Sequence, residues 1–264
     1  MSMMAYRDFA FFYDVLNEDA DYERLSREIC RRLKNKGVEN GILVDLGCGT
    51  GELTLRLSDA GYDMVGVDLS SEMLSIASEK QGERSSKKPA LFLRQDITQL
   101  DLYGTVRGMI STFDTLNHLA AADLETAFSK IALFMEKDAV FIFDMNTPYK
   151  HLHILKNHLY ILKAENDGLL CRWKNTLDKA ARKTTMDIQI ERDGFAAPIK
   201  EKFCEYYYYL EHIQTLCGRY GLDICAVEDG ETFGPLRRNS QRMLITAVKR
   251  YTQKESGHNG SIDT

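Results

Sequence analysis

The chain has 264 residues, 44% of them hydrophobic and 28% charged, with a formal net charge of −5. That length and balance describe one folded domain with room for an insertion, and the negative average field argues against nucleic acid or an anionic membrane as partner. The six cysteines, at positions 30, 48, 171, 204, 217 and 225, form no CxxC pair and no zinc or disulfide spacing. Acidic residues interrupt the apolar start early and no run reaches membrane-spanning length, so the expectation is a cytoplasmic protein with reduced thiols.

Tyr22, Leu25, Ile29 and Leu33 recur at helical spacing from Asp21, and Gly37 offers a stop. Arg31, Arg32, Lys34 and Lys36 on this helix read as a solvated face. Ile42 to Leu46 is a short apolar run ending in glycines, the profile of a buried parallel strand. A helix carrying Leu53, Leu57 and Ala60 follows and closes at Gly61; Met64 to Val67 is a second strand, and Ser70 caps a helix bearing Met73, Leu74 and Ala77. Gln81 to Lys88 reads as a polar loop, Ala90 to Arg94 and Gly108 to Thr112 as strands. Leu124, Phe128, Ile131 and Met135 mark a helix, and Ala139 to Phe143 another strand. This alternation predicts right-handed crossovers and a parallel sheet covered on both faces.

After Pro148 the period changes to two. Met186, Ile188 and Ile190 alternate with Asp187, Gln189 and Glu191, with a turn signal at Asp193-Gly194 and partner stretches at Leu169 to Leu177 and Ile199 to Tyr209. The expected organisation is an N-terminal helical segment at 1–36 and a core at 37–159 and 210–250. An antiparallel insertion occupies 160–209, and 251–264 is a polar tail. The core resumes with a helix from Leu210 to Tyr220 and strands at Asp223 to Val227 and Arg242 to Val248.

The most informative segment is Val44-Asp45-Leu46-Gly47-Cys48-Gly49-Thr50-Gly51, where a strand turns into a helix. Open α/β sheets bind ligands at such a turn, and glycines let backbone approach them closely. The GxGxG spacing differs from the dinucleotide fingerprint, whose third glycine comes three residues after the second. Asp68 ends the second strand, where a carboxylate can accept from both ribose hydroxyls of an adenosine. Asp96 ends the third, within reach of an adenine amino group. Taken singly, Asp68 is a helix cap and Asp96 a loop residue; together with the glycines they make a nucleoside site.

On these residues the chain resembles the class I S-adenosylmethionine-dependent methyltransferases. Asp45 to Gly51 match the first family motif, Asp68-Leu69-Ser70-Ser71-Glu72-Met73-Leu74 the second, and Gln95-Asp96-Ile97 the adenine-contacting one. The resemblance covers residues 6 to 249. It implies a Rossmann-like α/β fold: a seven-stranded sheet with a reversed final strand, helices on both faces, and here an added antiparallel insertion. It also implies S-adenosylmethionine as methyl donor, converted to S-adenosylhomocysteine. The donor set it implies is Asp45, Gly47, Cys48, Gly49, Thr50 and Gly51, then Asp68, Leu69 and Met73, Gln95, Asp96 and Ile97, and Thr112, Phe113 and Asp114. Tyr6 to Asp14 and Asp114 to Leu119 are similar to segments of a bacterial subgroup of small-molecule methyltransferases, amino-sugar N-methyltransferases among them, whose N-terminal tyrosine segment folds over the donor.

Methyl transfer from a sulfonium is an in-line displacement, so the protein must chiefly align the reactants and exclude water, with a base needed only for a protonated nucleophile. His118 suits that base, or else bonds backbone at a helix entry. Tyr13 closes over the donor or packs beside Phe9 and Phe12. Asn117, Trp173, Tyr206 and Tyr208 are the substrate-side candidates. His151, His153 and His158 lack an accompanying carboxylate or cysteine cluster, so no metal is expected and they read as surface or helix histidines. The leading expectation is a small-molecule acceptor with the insertion as roof; an RNA- or protein-modifying enzyme and a non-catalytic donor-binding protein are the alternatives. The sequence carries no statement on oligomeric state.

Overall fold

A computed structural model describes residues 10, 13–14, 19–84, 88–164, 169–192 and 198–250. Helix α1 (Tyr22–Asn35) begins at Asp21, whose side chain accepts from the Arg24 amide, and it buries Ile29 and Leu33. The core then runs β1 (Ile42–Leu46), α2 (Glu52–Asp59), β2 (Asp63–Asp68), α3 (Ser71–Gly82), β3 (Leu91–Arg94), β4 (Val106–Ser111), α4 (Ala121–Phe134) and β5 (Met135–Asn146). The hydroxyl of Ser70 accepts from the Met73 amide at 3.2 Å, capping α3 as the sequence indicates.

After β5 come β6 (Leu159–Ala164), β7 (Leu169–Asp178), β8 (Lys183–Arg192) and β9 (Ile199–Tyr206); the core resumes with α5 (Leu210–Arg219), β10 (Leu222–Asp229) and β11 (Arg242–Lys249). The main sheet has seven strands in the order β10-β11-β5-β4-β1-β2-β3, and a second sheet has four in the order β6-β7-β8-β9. Pairing is parallel from β5 through β3, whereas β11 runs antiparallel to both β5 and β10, giving the reversed final strand. The order reverses between β1 and β4, so the loops at their carboxyl ends flank the ligand crevice.

Among the described residues, three apolar clusters hold the fold together. One lies around Phe128, Phe141 and Phe143, and another around Ile29, Leu43 and Tyr62 on the opposite face of the sheet. The third joins Met73 of α3 and Ala10 to Cys171, Met186, Ile188, Ile190 and Phe203 of the four-stranded sheet, which is thereby fastened to the core as a cap. Buried Met186, Ile188 and Ile190 realise the period-two pattern.

Several boundaries differ from expectation. Met135 is not the end of a helix: it takes an extended conformation and opens β5, pairing with Val106. Helix α3 continues to Gly82, into the stretch expected as loop. The cap has a further strand, β6, whose Leu159 and Ile161 are exposed and so show no one-sided alternation. Strand β9 ends at Tyr206, because Tyr207 and Tyr208 turn inward to bury their rings. The Asp193-Gly194 turn, the 251–264 tail, and Phe9 and Phe12 lie outside the described residues.

Candidate donor and acceptor site

The turn from β1 to α2 is built on left-handed backbone. Gly47, Gly49 and Gly51 have φ of 74°, 52° and 77°, a region that side chains disfavour by about 1–2 kcal/mol per residue. The amides of Gly47 and Cys48 both donate to the Val67 carbonyl, at 2.7 and 3.0 Å, tying the turn to β2. A Cβ on Gly47 would lie 2.3 Å from Cγ2 of Thr115, and one on Gly51 would lie 2.8 Å from Cβ of Ala77. These two glycines are therefore required by space as well as by backbone.

The turn borders a cleft. Of the residues expected around a donor, Tyr13, Asp45, Gly47, Cys48, Gly49, Thr50, Thr112 and Phe113 line it. Tyr22, Glu52, Leu53 and Thr115 line it too, and sequence reasoning missed them. In sequence Tyr22 is one more apolar position of a helix; in the structure its ring centroid lies 4.9 Å from that of Phe113. The Thr50 hydroxyl donates to Asp14 at 2.7 Å, and Lys80 pairs with the other oxygen of Asp14 at 2.7 Å, fastening the N-terminal segment to the glycine turn.

Asp68 lies just behind the turn. One carboxylate oxygen accepts from the Gly49 amide and the other from the Ser70 amide, each at 2.9 Å. Burial raises its pKa against these amide bonds. Each oxygen retains a further lone-pair direction, so the group can serve the turn and a ribose together. Asp96 caps a short 3-10 turn, one oxygen accepting from the amide and hydroxyl of Thr98 at 2.8 and 2.7 Å. Gln95 is occupied in both directions by the backbone of Asp101, which makes it a loop brace. Ile97 packs against the main core, the Leu69 carbonyl accepts from Arg94, and Met73 faces the cap.

Asp45 is buried at the end of β1 and accepts from the Thr54 hydroxyl. Burial, with Asp68 nearby, pushes its pKa up to about 7. An acid whose folded pKa is raised holds its proton after the unfolded chain has lost it, so stability falls as pH rises from about 4 to about 7. Asp45→Asn should therefore flatten the stability curve across that window relative to the parent, as read by denaturant unfolding at several pH values. Parallel curves would show that Asp45 ionises normally.

Beyond β4 the chain enters a tight turn with Phe113 and Asp114 at φ of 53° and 56°. Their amides donate to the two oxygens of Asp144, at 2.9 and 2.8 Å. Arg242 of β11 bridges Asp144 at 2.8 Å and Asp114 at 2.7 Å. Its charge and that of Lys150 hold the Asp114 carboxyl below the usual range despite burial. Arg242 and Asp144 gave no signal in sequence, lying in ordinary strand positions.

The substrate-side candidates separate. The His118 ring is largely buried, with Nδ1 at 3.2 Å from the Cys204 carbonyl; that bond requires Nδ1–H and leaves Nε2 as the acceptor nitrogen. Burial lowers its pKa and favours the neutral ring. Trp173 stands among the aromatic residues of the cap, its indole N–H donating to Asn175 at 2.7 Å. Asn117 is fully buried; its amide donates to the Asn146 and Tyr206 carbonyls and accepts from the Asn146 amide. Tyr208 lies in the main core with its hydroxyl donating to the Leu119 carbonyl at 2.6 Å. Asn117 and Tyr208 thus brace the backbone around them, and the Tyr206 ring packs against the same core. His151 is not a surface histidine: it is fully buried, and its Nδ1 meets the Thr184 hydroxyl at 2.8 Å.

Known proteins match this architecture. A methyltransferase domain matches residues 43–138, from β1 into β5. An S-adenosylmethionine-dependent methyltransferase from Clostridium acetobutylicum superimposes with a TM-score of 0.82 at 25% identity, over 92% of this chain and 98% of its own. Residues 43–138 thus carry a methyltransferase domain, and the chain has the fold of an S-adenosylmethionine-dependent methyltransferase. A methyltransferase from Geobacillus is 32% identical over 60% of this chain and 64% of its own length. The dTDP-3-amino-3,6-dideoxy-alpha-D-glucopyranose N,N-dimethyltransferase of Streptomyces fradiae is 25% identical over 51% of this chain and 52% of its own length. The chain thus spans less than two thirds of the length of these curated relatives. Among its described residues no helix is long and apolar enough to cross a membrane, and its six cysteines are free.

Proposed function

We propose that this chain transfers a methyl group from S-adenosylmethionine to the nitrogen or oxygen of a small molecule in the cytoplasm. The observation that carries this reading is the glycine turn with Asp68 behind it, opening on a cleft covered from one side by Tyr13. The residues suit a nucleoside-bearing donor: the turn presents backbone where a Cβ would collide, and Asp68 offers acceptors at the end of β2. S-adenosylmethionine, when bound, supplies a methyl group on a good leaving group. The protein's part is to hold the donor pocket rigid through Asp144 and Arg242, to line it with Tyr13, and to exclude water beneath the cap. The named activity of the Streptomyces fradiae relative favours a small amine-bearing acceptor.

The test is transfer of labelled methyl from S-adenosylmethionine into a size-fractionated cell extract. Label is expected in the small-metabolite fraction; label in RNA or protein would replace the substrate class. Asp68→Ala is expected to weaken donor binding by on the order of 1–3 kcal/mol, since hydroxyls and turn amides lose a charged acceptor. Calorimetric titration of the folded variant checks this, and unchanged affinity would remove Asp68 from the donor site.

A further inference from the structure

At the seam between core and cap the fold gathers side chains that the sequence keeps far apart. A carboxylate oxygen of Asp114, a ring nitrogen of His118 and a carboxylate oxygen of Glu205 lie within 4.8 Å of one another. Asp114 and His118 come from the turn after β4, and Glu205 from β9 of the cap. A fourth group arrives from the turn after β5: His151, with no exposed surface, places Nε2 at 3.6 Å from Oε2 of Glu205. That nitrogen has no hydrogen-bond partner among the described residues. Buried polar atoms are almost always bonded, so an imidazole nitrogen aimed at a carboxyl without a bond calls for a ligand. A proton shared between Glu205 and Asp114 satisfies the two acids. It does nothing for His151, because 3.6 Å is too long for a hydrogen bond.

The surroundings of these four groups are those of metal ligands. Ligating histidines characteristically donate their second ring N–H to a fixed acceptor, which orients the other nitrogen. His118 does so to the Cys204 carbonyl, with Nδ1 at 3.2 Å, and Nδ1 of His151 meets the Thr184 hydroxyl at 2.8 Å. Each carboxylate is held as well: one oxygen of Asp114 by Arg242 at 2.7 Å, and one of Glu205 by the Asn146 side chain at 2.8 Å. Some point lies within about 2.8 Å of all three atoms of a triangle whose sides are at most 4.8 Å. Shifts of under about an ångström then bring the three to zinc bond lengths of about 2.0–2.2 Å. The local charge also favours a cation. Asp114, Asp144 and Glu205 stand against Arg242 and Lys150, and the Lys150 ammonium is directed to the Asn146 amide oxygen at 2.9 Å.

We propose that Asp114, His118, His151 and Glu205 bind a divalent transition-metal ion, zinc foremost, and that this ion staples the cap to the core. Two imidazole nitrogens and two carboxylate oxygens, with no thiolate, are a donor set that suits zinc and its first-row neighbours. Four protein ligands complete a tetrahedral shell, the mark of a structural ion. Glu205 makes the ion a staple: it alone of the four belongs to the cap, so the ion joins β9 to the turns after β4 and β5. The histidine-rich stretch after Pro148 has no carboxylate at ligand spacing in sequence; the fold supplies Asp114 from upstream and Glu205 from downstream. The inference is independent of which acceptor is methylated.

The test uses the full chain without an affinity tag, stripped by dialysis against a chelator and titrated with zinc chloride or cobalt(II) chloride. One equivalent of zinc should remain after gel filtration, as read by elemental analysis, and the melting temperature should rise with zinc concentration. Cobalt should give the intense visible bands of a four-coordinate site and no sulfur-to-metal charge-transfer band. Hydrogen exchange of the β9 amides should slow when zinc is added. His151→Gln and Glu205→Gln should each weaken zinc binding by on the order of 100-fold or more, beyond the 10–100-fold typical of losing an outer partner. His153→Gln, at an exposed histidine outside the set, should leave it unchanged. Less than one equivalent of zinc, a thiolate band, the weak bands of six-coordinate cobalt, or parental affinity in His151→Gln would overturn the site. Bound zinc that leaves β9 exchange unaltered would overturn the staple. If a variant does not fold, the cobalt spectrum and the exchange rates of the parent decide alone.

Discussion

Gly47→Ala is expected to abolish useful donor binding in a chain that still folds. The substitution carries two costs that a second site can separate. Gly47 and Gly37 have nearly the same φ, 74° and 78°, but a Cβ on Gly37 would meet nothing within 4 Å, whereas on Gly47 it would lie 2.3 Å from Thr115. Gly37→Ala therefore reports the left-handed backbone cost alone, about 1–2 kcal/mol of stability. Gly47→Ala adds a collision that either the turn or the Thr115 segment must relieve by moving, and both line the cleft. An ångström-scale displacement there should reduce transfer on the order of a hundredfold. Calorimetric titration with S-adenosylmethionine and thermal unfolding of both variants give the comparison. Equal donor affinities in the two would show that the close approach at Gly47 does not shape the pocket. Thr115→Gly in the Gly47→Ala background should recover part of the binding, because it removes the crowding and not the backbone strain.

The second large effect is expected at Arg242. Its guanidinium lies between buried Asp144 and partly buried Asp114, and Asp144 in turn anchors the amides of Phe113 and Asp114. Arg242→Met keeps the stem and removes the charge, leaving both acids uncompensated. Loss of one partner from a buried ionic group costs about 3–5 kcal/mol, a fall in melting temperature on the order of 10 °C for a chain of this size. Donor binding should weaken as well, since Asp144, which anchors the turn carrying Phe113, loses the partner that holds it in place. Adding Asp144→Asn should restore part of the stability by removing one stranded charge, but not the donor affinity. A melting temperature within a degree or two of the parent would show that the acids are neutral without Arg242.

Local chemistry made much of this fold legible. Ile42 to Leu46, the glycine turn and Ser70 each carry their own instruction: a buried run, residues free to take positive φ, and a hydroxyl placed to cap. The structure obeys all three within a residue. What was not legible depends on partners distant in sequence. Met135 has helical spacing from Leu124 yet opens a strand, because pairing with Val106 outweighs its local periodicity. Tyr206 to Tyr209 read as one strand, but the ring of Tyr208 has a core position and an acceptor at Leu119 waiting, and the strand ends to reach them. Arg242 and Glu205 are unremarkable charges in strand patterns, and only the crossing of β11, β5 and β9 near one turn makes a site of them. His151 shows the reverse error: a histidine-rich stretch suggested surface, whereas Thr184 and Glu205 enclose it.

The apolar cluster between α3 and the cap has a consequence for how such proteins diversify. The cap is a continuous stretch inserted between β5 and α5, so a lineage can exchange it without touching the strands that hold the donor. Met73 and Ile76 limit that freedom: they belong to the donor-side helix yet pack among Cys171, Met186 and Ile188 of the cap. A transplanted cap with a different acceptor preference must also present a surface that accepts those two side chains. Recombination at this seam is therefore constrained less by where the chain is cut than by the fit at one helix face.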